Sequence, residues 1–88
     1  MSQVIFSRHS RDQLRDRGAT EAEVREAILN GERVPAKRGR VAFRKNFSYR
    51  SEWKGKYYEI KQVMPIVIHE GNAFMVVTVY VFYFGGKE

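Results

Sequence analysis

The sequence predicts an α+β domain in which two N-terminal helices pack on a twisted antiparallel sheet of three to four strands. Three observations carry this expectation. Residues 73–84, AFMVVTVYVFYF, form an almost unbroken run of apolar, β-branched and aromatic residues. Such a run is too short to cross a bilayer as a helix and too rich in Val, Tyr and Phe to prefer one, so it reads as a central strand. Two sets of helix start and stop signals lie ahead of Asn30-Gly31. Between these regions the apolar residues alternate with polar ones, which is the period of a strand.

Taken from the start, Val4 to Phe6 is a short apolar segment, either an edge strand or a staple into the first helix. Ser7 can cap that helix, SRHSRDQLRDR, and Gly18 can end it. Its apolar content is little more than Leu14, so Phe6 and Leu14 are expected to anchor it. His9, Gln13 and Arg17 are spaced at i, i+4 and i+8 and share one polar side. Thr20 and Glu23 form a capping box for the second helix, which runs through Val24, Ala27 and Ile28 to Asn30-Gly31.

Pro35 excludes further helix, and Lys37, Arg38, Gly39 and Arg40 read as an exposed basic loop. A strand follows from Val41, with a break expected near Asn46. Trp53-Lys54-Gly55-Lys56 reverses the chain into a strand over Tyr57 to Ile68, and Gly71-Asn72 reverses it again. Centring that last turn on Gly71-Asn72 pairs residues whose numbers sum to 143. In this register Ile60, Met64, Ile66 and Ile68 join Met75, Val77, Val79 and Val81 as the core face. Lys61, Val63, Pro65 and Val67 join Val76, Thr78, Tyr80 and Phe82 on the other. A helix on the core face then brings His9 to Thr78 only around a sheet edge or across a strongly curved sheet. Gly85 to Glu88 read as a frayed tail.

The chain of 88 residues has room for one core, so a single domain spans 1–88. It has no cysteine, and a reducing cytoplasm is the expected compartment. The N-terminus has no long apolar core of the kind a signal peptide carries, and no membrane role is expected. Lys and Arg number 16 against 10 acidic residues, a net charge of +6, which points to a polyanion, nucleic acid first, as partner. Solubility alone is the plainer explanation of the same excess.

Two histidines without cysteine or suitably spaced carboxylates argue against a metal site, and no Gly-rich strand-to-helix loop exists to cradle a nucleotide, so no cofactor is expected. The polar residues left are His9, Gln13, Arg17, Arg40, Arg44, Lys61, Thr78 and Tyr80. Their types suit metal-independent RNA cleavage: an imidazole to move protons at the 2′-hydroxyl or the 5′-oxygen, and cations to neutralise the phosphate. In that reading His9, Arg17 and Thr78 form the catalytic set, and Arg40, Arg44, Lys61 and Tyr80 hold substrate. Each also has a structural explanation: helix capping for His9, the helix dipole for Arg17, strand propensity for Thr78, a small core for Tyr80 and solvation for the cations. A non-catalytic basic module for nucleic acid or an acidic protein is the alternative. The aromatics Trp53, Phe82 and Phe84 could instead join two copies.

Several local motifs carry a family resemblance: Phe6-Ser7-Arg8-His9, Arg17-Gly18, Thr20-Glu21-Ala22-Glu23-Val24, Trp53-Lys54-Gly55-Lys56-Tyr57, Lys61-Gln62-Val63 and Val76-Val77-Thr78-Val79-Tyr80. Together they resemble a prokaryotic family of small domains of unknown function, with a Ser-Arg-His first helix and a Val-Thr-Val last strand. That family is similar to the RelE and BrnT class of toxins, within a wider set that includes barnase-like ribonucleases. The resemblance implies a RelE-like sheet, an antitoxin partner and metal-free RNA cleavage, with His9 and Arg17 as site residues on the helix and Thr78 on the sheet. The chain lacks the basic C-terminal tail usual in RelE-type enzymes.

Overall fold

A computed structural model describes residues 3–86. The elements run β1 (Gln3–Phe6), α1 (Arg8–Arg17), α2 (Glu21–Asn30), β2 (Glu32–Pro35), β3 (Val41–Trp53), β4 (Lys56–Glu70) and β5 (Ala73–Phe84). They build one five-stranded sheet in the order β1-β5-β4-β3-β2. β1 runs parallel to β5, and every other pair is antiparallel. The two helices are present as expected, but the sheet is neither three- to four-stranded nor purely antiparallel.

Two four-residue strands account for the difference. Gln3–Phe6 has too few residues to show a period, yet it pairs with Ala73–Val76. Glu32–Pro35 pairs with Val41–Arg44, and Pro35 sits at the strand's end on the outer edge, where a missing N–H costs nothing. β3 runs through Asn46 without interruption and bulges later, between Ser48 and Ser51, where Arg50 has φ 47°.

The helix ends obey local chemistry. The Ser7 hydroxyl accepts from the Ser10 backbone N–H at 3.1 Å, and Thr20 and Glu23 complete a reciprocal capping box. Gly18, at φ 80°, closes α1 by donating its N–H to the Leu14 carbonyl. The β3–β4 turn places Lys54 and Gly55 at φ 53° and 83°, the doubly left-handed geometry that matches strand twist.

The register corrects the expected faces. Near the turn, Val67 faces Val76 and the numbers sum to 143; beyond it Ile66 faces Thr78 and they sum to 144. One extra residue, Val77, is accommodated there as a β-bulge, so the faces of β4 and of β5 before the bulge are exchanged, while Val79 and Val81 lie under the helices and Thr78, Tyr80 and Phe82 away from them as expected. The helices therefore cover Val63, Pro65 and Val67 of β4, with Val76 before the bulge and Val79 after it. This is the odd-numbered set of β4 that the uniform register assigns to the opposite face. Phe6, Leu14, Val24, Ile28 and Phe43 complete the core beneath the helices.

α1 lies over β5, and α2 over β3 and β4. Ile60, Met64, Ile66, Thr78, Tyr80 and Phe82 face away from both helices. The expected frayed tail is tied at its start, since the Glu59 N–H donates to the Gly85 carbonyl at 3.2 Å. Lys87 and Glu88 lie outside the described residues.

Candidate functional site

β1 covers β5 only as far as Val76, so the rest of that edge must be satisfied by something else. Val79 lies opposite Pro65, and both its backbone groups point away from β4. Gln13 and Arg17 meet them. The Val79 N–H donates to Gln13 Oε1 at 2.8 Å, and Arg17 Nη1 donates to the Val79 carbonyl at 2.8 Å. The two side chains thus act as a surrogate strand for one residue of β5.

Further bonds fix the helix along the same edge. The Ser7 N–H donates to the Val76 carbonyl at 3.2 Å, and the Tyr83 hydroxyl donates to the Arg17 carbonyl at 2.8 Å. The helix therefore advances alongside β5 from Val76 to Tyr83. His9 is exposed and lies one turn before Gln13 on the same side. Its position falls between the Ser7–Val76 and Gln13–Val79 bonds, along the stretch that holds Val77 and Thr78. Thr78 is half-buried on the sheet face away from the helices. Tyr80 is on that face too, and the Arg17 guanidinium sits over its ring, 5.3 Å from the centroid, at cation–π distance.

Of His9, Arg17, Thr78 and Tyr80, only Arg17 and Tyr80 are brought together at this edge, with His9 two turns back on the same helix and Thr78 two residues back on β5. The other expected site residues lie elsewhere. Lys61 projects to the helix side at 6 % exposure, where Nζ donates to the Gly18 carbonyl at 2.9 Å and lies 2.8 Å from Glu23 Oε2. It also sits over the Tyr49 ring. These partners occupy the ammonium. Arg44 is on β3, bonded through Nε to Glu32 at 2.7 Å. That bond, and then the charge attraction, hold the Glu32 carboxyl below the usual carboxylate range and push the Arg44 guanidinium up. Arg40 closes the β2–β3 turn, its N–H donating to the Lys37 carbonyl at 3.3 Å.

Two arrangements have little sequence signal. Tyr83 stacks on Trp53 with ring centroids 5.1 Å apart and meets Tyr49 edge-on at 5.3 Å, so Trp53 belongs to an internal aromatic group against Gly18. Ser10 is fully buried, its hydroxyl donating to the Ser7 carbonyl at 2.8 Å. The one legible clue to the edge was the i, i+4, i+8 spacing of His9, Gln13 and Arg17. Among the described residues no group of three His, Cys, Asp or Glu side chains is placed to hold a metal ion, and no helix is long and apolar enough to cross a membrane. Comparison of the chain with family models, curated proteins and solved structures gave no match.

Proposed function

We propose that this chain is a toxin-like RNA-binding protein that engages RNA along the α1-facing edge of β5. One observation carries the reading: Arg17, fixed by the Val79 carbonyl and seated over Tyr80, lies two turns from exposed His9 on the same side of one helix. A guanidinium uses five donors, and the Val79 bond occupies one, so Arg17 can also meet a phosphate. Tyr80, 42 % exposed, offers a ring on which a base can stack. The net charge of +6 favours a polyanion in general, and the local motifs that resemble the small prokaryotic domain family favour the toxin-like assignment and an antitoxin partner.

In its catalytic form, the reading makes His9 the proton carrier of a metal-independent endoribonuclease. The 2′-oxygen attacks phosphorus as the bond to the 5′-oxygen breaks, leaving a 2′,3′-cyclic phosphate. His9 takes the 2′-hydroxyl proton while water protonates the 5′-oxygen, or protonates the 5′-oxygen while water takes the 2′ proton. Arg17 stabilises the charge on phosphorus, and Thr78 orients the sugar-phosphate. A specific observation favours the non-catalytic alternative: Lys61 and Arg44 are already engaged by Glu23 and Glu32.

Binding and cleavage of a single-stranded RNA by purified protein separate the two. Salt-dependent binding with cleavage lost in His9→Ala supports the endoribonuclease. Binding that survives His9→Ala, without cleavage by either protein, supports the binding module. Binding unaffected by both Arg17→Ala and Tyr80→Ala, in folded variants, would remove the β5 edge as the site.

A further inference from the structure

The sheet has a second face, and β4 and β5 are largely apolar there, broken by Thr78 and by Gln62, whose amide donates to Asn46 Oδ1 at 2.9 Å. Ile60, Met64, Ile66, Tyr80, Phe82 and Phe84 project from β4 and β5 on the side opposite the helices, with the last three 41–42 % exposed. Ile5, on neighbouring β1, extends the patch at 38 % exposure. An antiparallel sheet with one face in water shows polar residues at every second position. β4 and β5 instead carry mostly large apolar residues on both faces, with Gln62 and Thr78 the exceptions on the open one, a pattern close to that of strands covered on both sides.

The charges decide what kind of cover fits. In a chain of net charge +6, the regular part of this face carries Glu32, Arg44 and Glu70, and the first two are paired at 2.7 Å. The excess of cations therefore lies elsewhere. A polyanion or an acidic protein finds no complementary field on the face, whereas an equally neutral, apolar surface does. Area fits as well. Three long strands at about 4.8 Å spacing and about 3.3 Å per residue, with two short ones beside them, present roughly 700 Å². Each partner of a standard interface buries about 800 Å².

We infer that this chain forms a homodimer in which the open sheet faces of two copies pack against each other as a β-sandwich. The contact is isologous, with Met64 and Phe82 near its centre and Arg17 at its rim. Tyr80 is shared with the RNA reading: in the dimer its ring lies in the contact, so a base stacks on it only in the separated copy.

Light scattering on the full chain, from micromolar to submillimolar concentration, tests it. A mass of two copies is expected. Phe82→Glu, which places a charge on a residue already partly exposed, should weaken association by at least about tenfold while the circular dichroism spectrum is unchanged. Phe82→Ser serves if the charged variant fails to fold, and should weaken association in the same direction. A wild-type monomer across the whole range would overturn the inference. So would a dimer that persists undiminished in the folded Phe82 variants, since the contact would then lie on another surface.

Discussion

Arg17 is joined to Val79 across 62 residues of sequence by a 2.8 Å hydrogen bond from its guanidinium to the backbone carbonyl. With Gln13 on Val79's own N–H, it completes the hydrogen bonding of a strand residue that has no strand on its outer side. A helix with little more than Leu14 as an apolar anchor is thus held by polar bonds to the edge of a sheet.

Removing either side chain strands a half of that pair. Arg17→Ala and Gln13→Ala should each destabilise the fold by about 1–2 kcal/mol, measured by denaturant unfolding. Both act on Val79, so the double variant should depart from additivity.

Lys61→Ala should cost about 3 kcal/mol, because Glu23 and the Gly18 carbonyl lose their common cation beneath the helices. Chemical denaturation of the variant beside Glu23→Gln checks this. A Lys61 that served only as a solvated phosphate contact would give a far smaller loss.

Gly18→Ala should cost at least about 2 kcal/mol. The backbone there is left-handed at φ 80°, and a Cβ would come within 2.5 Å of the Tyr83 hydroxyl and 2.6 Å of the Trp53 ring. A matched substitution at Gly39, where a Cβ meets nothing within 4 Å, isolates the conformational part. Thermal unfolding of the two variants should place Gly18→Ala clearly below Gly39→Ala.

Tyr83 supplies a pH dependence. Burial first, then the nearby Tyr49 and Glu23, push its hydroxyl from 10.0 up to about 12. The folded state therefore favours the neutral phenol. The stability this contributes is fully present below pH 10 and is lost as pH rises towards about 12. Unfolding midpoints through that alkaline range should fall, and should fall less steeply in Tyr83→Phe.

Much of this architecture was legible in the residues. Ser7, Gly18, Thr20 with Glu23, and Asn30-Gly31 bound the helices because caps are satisfied locally, within three or four positions. The turns at Lys54-Gly55 and Gly71-Asn72 were readable for the same reason. What escaped was long-range. Of the two readings of Val4 to Phe6, β5 beside it selects the edge strand, while the parallel partner and the extra residue at Val77 have no local mark. In the candidate site, the spacing of His9, Gln13 and Arg17 placed them on one side of a helix. That Lys61 points under that helix and not into solvent depends on the bulge-shifted register, which lies beyond local sequence.

The parallel pairing of β1 with β5 carries a consequence for how the chain is made. Gln3 rests beside Ala73, and Ser7, Gln13 and Arg17 find their partners between Val76 and Val79. β1 and α1 are made well before β5 and wait for it before they can dock. Until then α1 is a short polar helix too weak to persist alone, because its partners on β5 lie more than sixty residues further along. Such non-local closure slows folding and lengthens the interval in which sticky strands are exposed.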